Sequence, residues 1–163
     1  MRPEEILATL AQLGVAVAGF SGIVVVLGSR ARESVALDSV LLNVILTGGV
    51  GVVLWALIPL LMLSAQLPER TVWIVASAGW SAQQVLVLMM RAFQARRILL
   101  QATRPDSVFF ALALIAGVGT LALQIGNVFW LSSAWPHLTG LAWWLMFSFV
   151  VFLRLMRINR GQG

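Results

Sequence analysis

The chain is most apolar over residues 40–65, where it reads VLLNVILTGGVGVVLWALIPLLMLSA. No Asp, Glu, Lys, Arg or His interrupts this stretch. A helix of about 20 apolar residues crosses the roughly 30 Å hydrocarbon core of a bilayer. The stretch therefore predicts a transmembrane helix with length to spare, which allows the helix to tilt or to kink at Pro59.

The rest of the chain has the same character. Of its 163 residues, 60% are hydrophobic and only 10% are charged, whereas soluble domains carry about 25% charged residues. Because unpaired backbone groups are costly in lipid, each apolar run is expected to be a helix. The sequence predicts an all-α, polytopic transmembrane helical bundle that forms a single integral membrane domain. Its five spans are expected at about residues 6–28, 40–65, 72–90, 108–131 and 138–153.

The first run is the least apolar because it contains Gly14, Gly19, Ser21 and Gly22. A run of this kind can also enter and leave the membrane on one side. The alternative is therefore four spans preceded by a re-entrant segment.

The basic residues are all Arg, and they lie at the ends of the runs in an alternating pattern. Cytoplasmic loops carry the Lys/Arg excess in bilayer proteins. Only Arg2 and Arg70 fall on one side, so that side, with the N-terminus, Glu4, Glu5, Glu69 and His137, is expected to face outward. The cytoplasmic side, where the C-terminus and contacts with anionic lipid head groups are expected, then holds Arg30, Arg32, Arg91, Arg96, Arg97, Arg104, Arg154, Arg157 and Arg160. This placement indicates a multi-pass membrane protein and not a nucleic-acid-binding one.

Neutral polar side chains are the only polar groups in the middle of the runs. Amides and hydroxyls there either bond between helices or line a path for a small ion or solute. The residues expected in such a packing seam or pore are Gln12, Asn43, Thr47, Ser81, Gln84, Thr120, Gln124 and Asn127. Small residues let helices approach closely, and those expected at helix–helix contacts are Gly14, Ala18, Gly22, Gly51 and Gly117.

No catalytic constellation is evident in the sequence. Ser21 in Gly-Phe-Ser-Gly and His137 in His-Leu-Thr-Gly look like the two motifs of rhomboid intramembrane proteases. The predicted topology places Ser21 about 22 Å into the first span at 1.5 Å per residue, whereas His137 is expected in a loop at the outer interface. The two groups should therefore lie far apart, and no enzyme activity is predicted. The chain has no Cys, and His137 with Glu4, Glu5 and Glu69 lacks the local spacing of a metal site. No metal or cofactor is expected.

Residues 10–28, LAQLGVAVAGFSGIVVVLG, resemble the first span of small multi-span bacterial membrane proteins of uncharacterised function. The resemblance implies a bacterial inner-membrane setting and no particular activity. Taken with the neutral amides, the sequence favours an oligomeric channel or passive carrier for a small ion or solute. The alternative is a non-enzymatic accessory or structural subunit of a larger membrane complex. In both cases a homo-oligomer or a membrane-complex subunit is expected, because the chain has no room for a soluble module.

Overall fold

The computed structural model describes the backbone of residues 2–28, 35–99 and 104–160, and the side chains of residues 2–22, 45–89 and 111–153. These residues form α-helices and a short π-helical segment, with no strand among them. The all-α class predicted from the sequence is confirmed. The helices are α1 (Pro3–Gly28), α2 (Val35–Ser64), α3 (Glu69–Leu99), α4 (Arg104–Gly126) and α5 (Ala134–Arg160).

Within the described ranges, five helices are long and apolar enough to cross a membrane. Their candidate spans are Pro3–Gly22, Ile45–Ser64, Glu69–Met89, Ala111–Leu131 and Ala134–Leu153. Helix α1 has 26 residues, which is about 39 Å at 1.5 Å per residue and more than a bilayer core requires. Its continuity favours five spans over four spans with a re-entrant first segment.

The chain divides into two compact units. The first unit contains α1, α2 and the part of α5 that starts at Leu141. The second unit, Ala65–Gly140, contains α3, α4, the π-helical segment and the first residues of α5. The expectation of a single domain over residues 1–163 stays a prediction.

In the first unit, α1 and α2 approach closely at a pair of glycines. Gly14 and Gly49 lie at this contact, with Val52, Val53 and Ala18 around them. A Cβ added to Gly14 would lie 2.9 Å from the carbonyl oxygen of Gly49. Glycine removes the side chain that would otherwise separate the backbones, so the two helices gain close van der Waals contact.

In the second unit, α4 does not end in an ordinary helical turn. The π-helical segment, Asn127–Leu131, follows it directly, and Ser132 then adopts the left-handed conformation with φ 46° and ψ 43°. The Ser132 N–H donates to the Asn127 carbonyl at 2.9 Å, which is the wider spacing of a π-helix. Helix α5 begins two residues later, so the reversal is tight and places the α4 end beside the start of α5.

Candidate functional site

The second unit holds most of the buried polar side chains that the structure describes. Ser77, Gln84, Gln124, Asn127 and His137 are all buried there. They come from α3, the end of α4, the π-helical segment and the start of α5. We call the group formed by Ser77, Gln124, Asn127, Ser133 and His137 the polar junction.

Asn127 lies at the centre of the polar junction. Its Nδ2 donates to Ser77 Oγ at 2.8 Å and to the Ser133 carbonyl at 2.9 Å. Its Oδ1 accepts from the Ser133 N–H, also at 2.9 Å. Both amide protons and the amide oxygen are therefore used inside the protein. One side chain thus holds the α4–α5 reversal and ties it to α3.

Gln124 is bonded within the same unit. It lies one turn before Asn127, and its Nε2 donates to the Pro136 carbonyl in the first turn of α5. Carbonyls in the first turn of a helix already accept bonds from that helix, so Gln124 adds a bond that ties the end of α4 to the start of α5. The Oε1 of Gln124 is buried and has no hydrogen-bond partner among the described residues.

His137 differs from its sequence-based prediction, which placed it in a loop at the outer interface. It lies inside α5, because that helix begins at Ala134 and not near Leu138, and its side chain is fully buried. The imidazole packs against two indoles, with ring centroids 6.3 Å from Trp73 and 6.3 Å from Trp80. The contacts with these two rings are part of the packing that buries the imidazole.

Gly140 allows the α5 backbone to pack directly on the polar junction. A Cβ at this position would lie 2.6 Å from Gln124 Nε2 and 3.3 Å from Trp80 Nε1. The absence of a side chain thus leaves room for the Gln124 amide to reach Pro136.

Three other polar residues of α3 and α4, Ser81, Gln84 and Thr120, form long or local bonds. Gln84 Nε2 lies 3.5 Å from Thr120 Oγ1, at the limit of a hydrogen bond. Thr120 donates to its own helix at the Gly117 carbonyl, and Ser81 donates to the Ser77 carbonyl at 2.7 Å. Hydroxyls that bond back to their own helix stay satisfied without a partner helix.

The other polar residues predicted in the seam or pore belong to the first unit. The Gln12 side chain is exposed on α1, and Thr47 on α2 is half-buried. The Asn43 side chain lies outside the described residues, although its backbone belongs to α2. Within the second unit, the structure brings Gln84 to Thr120 and Gln124 close to Asn127. Whether any of them lines a pore stays a prediction.

Of the small residues predicted at helix–helix contacts, some are packed closely and others are not. Gly14 is buried against α2, where a Cβ at Gly49 would lie 3.1 Å from Ala18 Cβ, and Gly51 is buried. Gly22 is exposed, and a Cβ there or at Gly117 would meet no atom of the described residues within 4 Å.

The nine predicted cytoplasmic Arg side chains lie outside the described side chains. Arg30 and Arg32 fall between α1 and α2, outside the described backbone as well. The others lie at the ends of α3, α4 and α5. Their contact with lipid head groups stays a prediction.

The described residues support neither a serine protease site nor a metal site. Ser21 is buried and donates to the Ala18 carbonyl at 2.7 Å, a local bond within α1. No group of three His, Asp or Glu residues that could hold a metal occurs in the described ranges.

Trp80 and Ser133 carry no signal in the sequence that predicts their place at the polar junction. Ser77 is a polar residue in an apolar run and Gly140 ends the His-Leu-Thr-Gly motif, but neither was predicted at a buried site. Comparison of the chain with protein-family models, with curated proteins and with solved structures finds no match.

Proposed function

We propose that this chain is a non-enzymatic structural subunit of a membrane assembly. The observation that carries the proposal is the burial and bonding of Asn127, whose two amide protons and amide oxygen all bond inside the second unit. Neither amide proton is free to bind a passing solute, because both already donate to protein oxygens. Together with the Gln124 bond to Pro136, this supports packing as the role of the second unit's most deeply buried amides.

The exposed side chain of Gln12 in the first unit supports the proposed assembly of this chain with other helices. Gln12 lies nine residues after Pro3, about 14 Å along α1 and so near the middle of a bilayer core. Its side chain is exposed within a candidate span. An amide in contact with hydrocarbon loses its hydrogen bonds to water, so it gains free energy when a second helix covers it.

The proposed setting is the cytoplasmic membrane of a bacterium, with the N-terminus outside and the C-terminus inside. The distribution of Arg supports this orientation, nine on one side and two on the other. Anionic lipid head groups are then the proposed contact of the basic cytoplasmic face.

A second candidate function is a channel or passive carrier. Gln12 favours it, because a ring of several copies with α1 at its centre would place an amide around a central path. The path would then run between copies, and not through the polar junction of one chain.

The experiment that separates the two candidates combines mass and flux. The protein is extracted from its membrane in polymer-bounded lipid discs, and the mass of the complex is measured by native mass spectrometry. In parallel, the protein is reconstituted in liposomes, and the flux of monovalent ions and small neutral solutes is measured. A structural subunit predicts a mass above that of one chain and flux at the level of empty liposomes. A single-chain mass would overturn the structural proposal. Flux above background in the parent and at background in Gln12→Leu would establish the channel instead.

A further inference from the structure

Helix α1 carries two rows of residues with the same spacing on opposite faces. The first row is Leu7, Ala11, Gly14, Ala18 and Ser21, and the second is Glu5, Thr9, Gln12, Ala16 and Gly19. Both rows step by alternating three and four residues, the spacing that keeps a seam on one side of two helices crossing at about 20°. Because corresponding members are two positions apart, the rows lie about 200° apart around the helix.

The first row is already occupied by α2. Leu7, Ala11, Gly14 and Ser21 are buried, and Gly14 and Ala18 approach Gly49 closely. This row demonstrates how α1 binds another helix: small residues at the seam allow backbone contact.

The second row repeats this spacing but is open. Glu5, Thr9, Gln12 and Gly19 are exposed, Ala16 is half-buried, and a Cβ at Gly19 would meet none of the described atoms within 4 Å. Large apolar side chains flank the row on both sides, at Leu13, Val15 and Phe20. A purely lipid-facing stripe would continue this apolar character, whereas the row places an amide among small residues at mid-membrane depth.

We propose that the second row of α1 binds the same row of a second copy of this chain; the proposal rests on the structural role proposed above and deepens it. Two copies inserted in the same orientation are related by a twofold axis along the membrane normal, so their α1 helices pack in parallel and equal positions meet at equal depth. The Gln12 amide both donates and accepts, and two such amides therefore satisfy each other across the axis.

Charge complementarity at the end of the row supports the same occupant. Arg2, the residue before α1, continues the three–four spacing beyond Glu5, and both are exposed. The Arg2 backbone N–H donates to Glu5 Oε2 at 3.1 Å, a bond that does not use the Arg2 guanidinium. In a parallel pair, each Arg2 guanidinium lies near the carboxylate of the other copy's Glu5. The N-terminal ends of the two α1 helices therefore attract each other.

The absence of Cys from the sequence makes the test direct. Single cysteines are introduced at Thr9, Gln12 and Ala16 in the row, and at Val15 and Leu13 beside it, in full-length protein in native membranes. Copper-phenanthroline and air then oxidise neighbouring thiols to disulfides. The proposal expects disulfide-linked dimers from the three row positions, at least five times more than from the flanking positions. Equal crosslinking at all five positions, or none in the row, would overturn it.

A second measurement examines the amide itself by dimer dissociation in lipid vesicles at increasing dilution. Gln12→Leu is expected to raise the dissociation constant about tenfold, the equivalent of losing the amide bonds across one interface. Gln12→Asn is expected to recover part of this loss, and Leu13→Ala to leave the constant within about twofold. An unchanged constant in Gln12→Leu would contradict the proposal. If native discs hold several chains but the row gives no crosslinks, the structural role survives and this interface does not; a single-chain mass removes both.

Discussion

Gly14 and Gly49 face each other so closely that neither can carry a side chain without touching the other's backbone. A Cβ on Gly14 would lie 2.9 Å from the Gly49 carbonyl oxygen, and a Cβ on Gly49 would lie 2.9 Å from the Gly14 carbonyl oxygen. Real Cβ atoms do not approach backbone oxygens at this distance, and a carbonyl oxygen cannot rotate away as a flexible side chain can. The contact between α1 and α2 therefore depends on glycine on both sides.

Replacement of Gly49 by Ala is expected to destabilise the first unit. The new methyl would also meet Ala18 Cβ at 3.1 Å, so the helices must move apart, at a cost of about 1–3 kcal/mol. The measurement is reversible unfolding in mixed micelles of increasing SDS content. The matched control is Gly22→Ala on α1, which should be neutral or slightly stabilising because its methyl meets no described atom within 4 Å and raises helix propensity. Equal destabilisation by the two variants would contradict the prediction.

Two buried serines should respond to the same substitution in opposite ways. Ser148 Oγ is buried without a hydrogen-bond partner among the described residues, and a Cβ on Gly48 would overlap it. Ser148→Ala removes an unsatisfied hydroxyl and is expected to leave stability unchanged or raise it by up to about 1 kcal/mol. Unfolding in SDS mixed micelles measures the change.

Ser77→Ala is the matched comparison. Ser77 Oγ accepts from Asn127 Nδ2 at 2.8 Å, so its loss leaves a buried amide proton unpaired and costs about 1–3 kcal/mol. If Ser148→Ala is the more destabilising of the two, the assignment of their environments is wrong.

The fold class could be predicted from the sequence because lipid imposes a simple rule. A helix that crosses it needs a long uninterrupted apolar run, and such runs are visible in the letters alone. No such rule selects which side chains form hydrogen bonds with each other inside the membrane. Asn127 bonds to Ser77, 50 positions away, and nothing in the sequence selects that hydroxyl over the others in the same run.

The burial of His137 shows a second limit. Pro136 and the neighbouring tryptophans made a loop at the membrane surface the natural prediction, yet α5 begins at Ala134 with Pro136 in its first turn. Proline is well tolerated there because the first-turn N–H groups have no helical partner. A shift of a few residues in the start of the helix moved the histidine from the surface to a site between two indoles.

Gly140 and Gln124 should be energetically coupled. A methyl on Gly140 would lie 2.6 Å from Gln124 Nε2 and displace the amide that donates to the Pro136 carbonyl. Gly140→Ala alone is expected to cost about 1–3 kcal/mol. In a Gln124→Ala background the methyl gains room, so the double variant should be more stable than the sum of the two losses by about 0.5–3 kcal/mol.

The control for this double-mutant cycle is Gly117→Ala. It adds a methyl to α4 at a position where no described atom lies within 4 Å. It should be nearly neutral alone and additive with Gln124→Ala. Strict additivity of Gly140→Ala with Gln124→Ala would show that the two residues do not compete for the same space.

The proposed orientation predicts which cysteines an impermeant reagent reaches in intact cells. Leu67 is exposed between α2 and α3, on the side expected to face outward, so Leu67→Cys should react with an impermeant maleimide without lysis. Arg32→Cys, in the Arg-rich segment after α1, should react only once the cells are permeabilised, because basic segments remain cytoplasmic. The parent chain has no Cys and supplies the background. Labelling of Arg32→Cys but not of Leu67→Cys in intact cells would mean that the chain inserts the other way up.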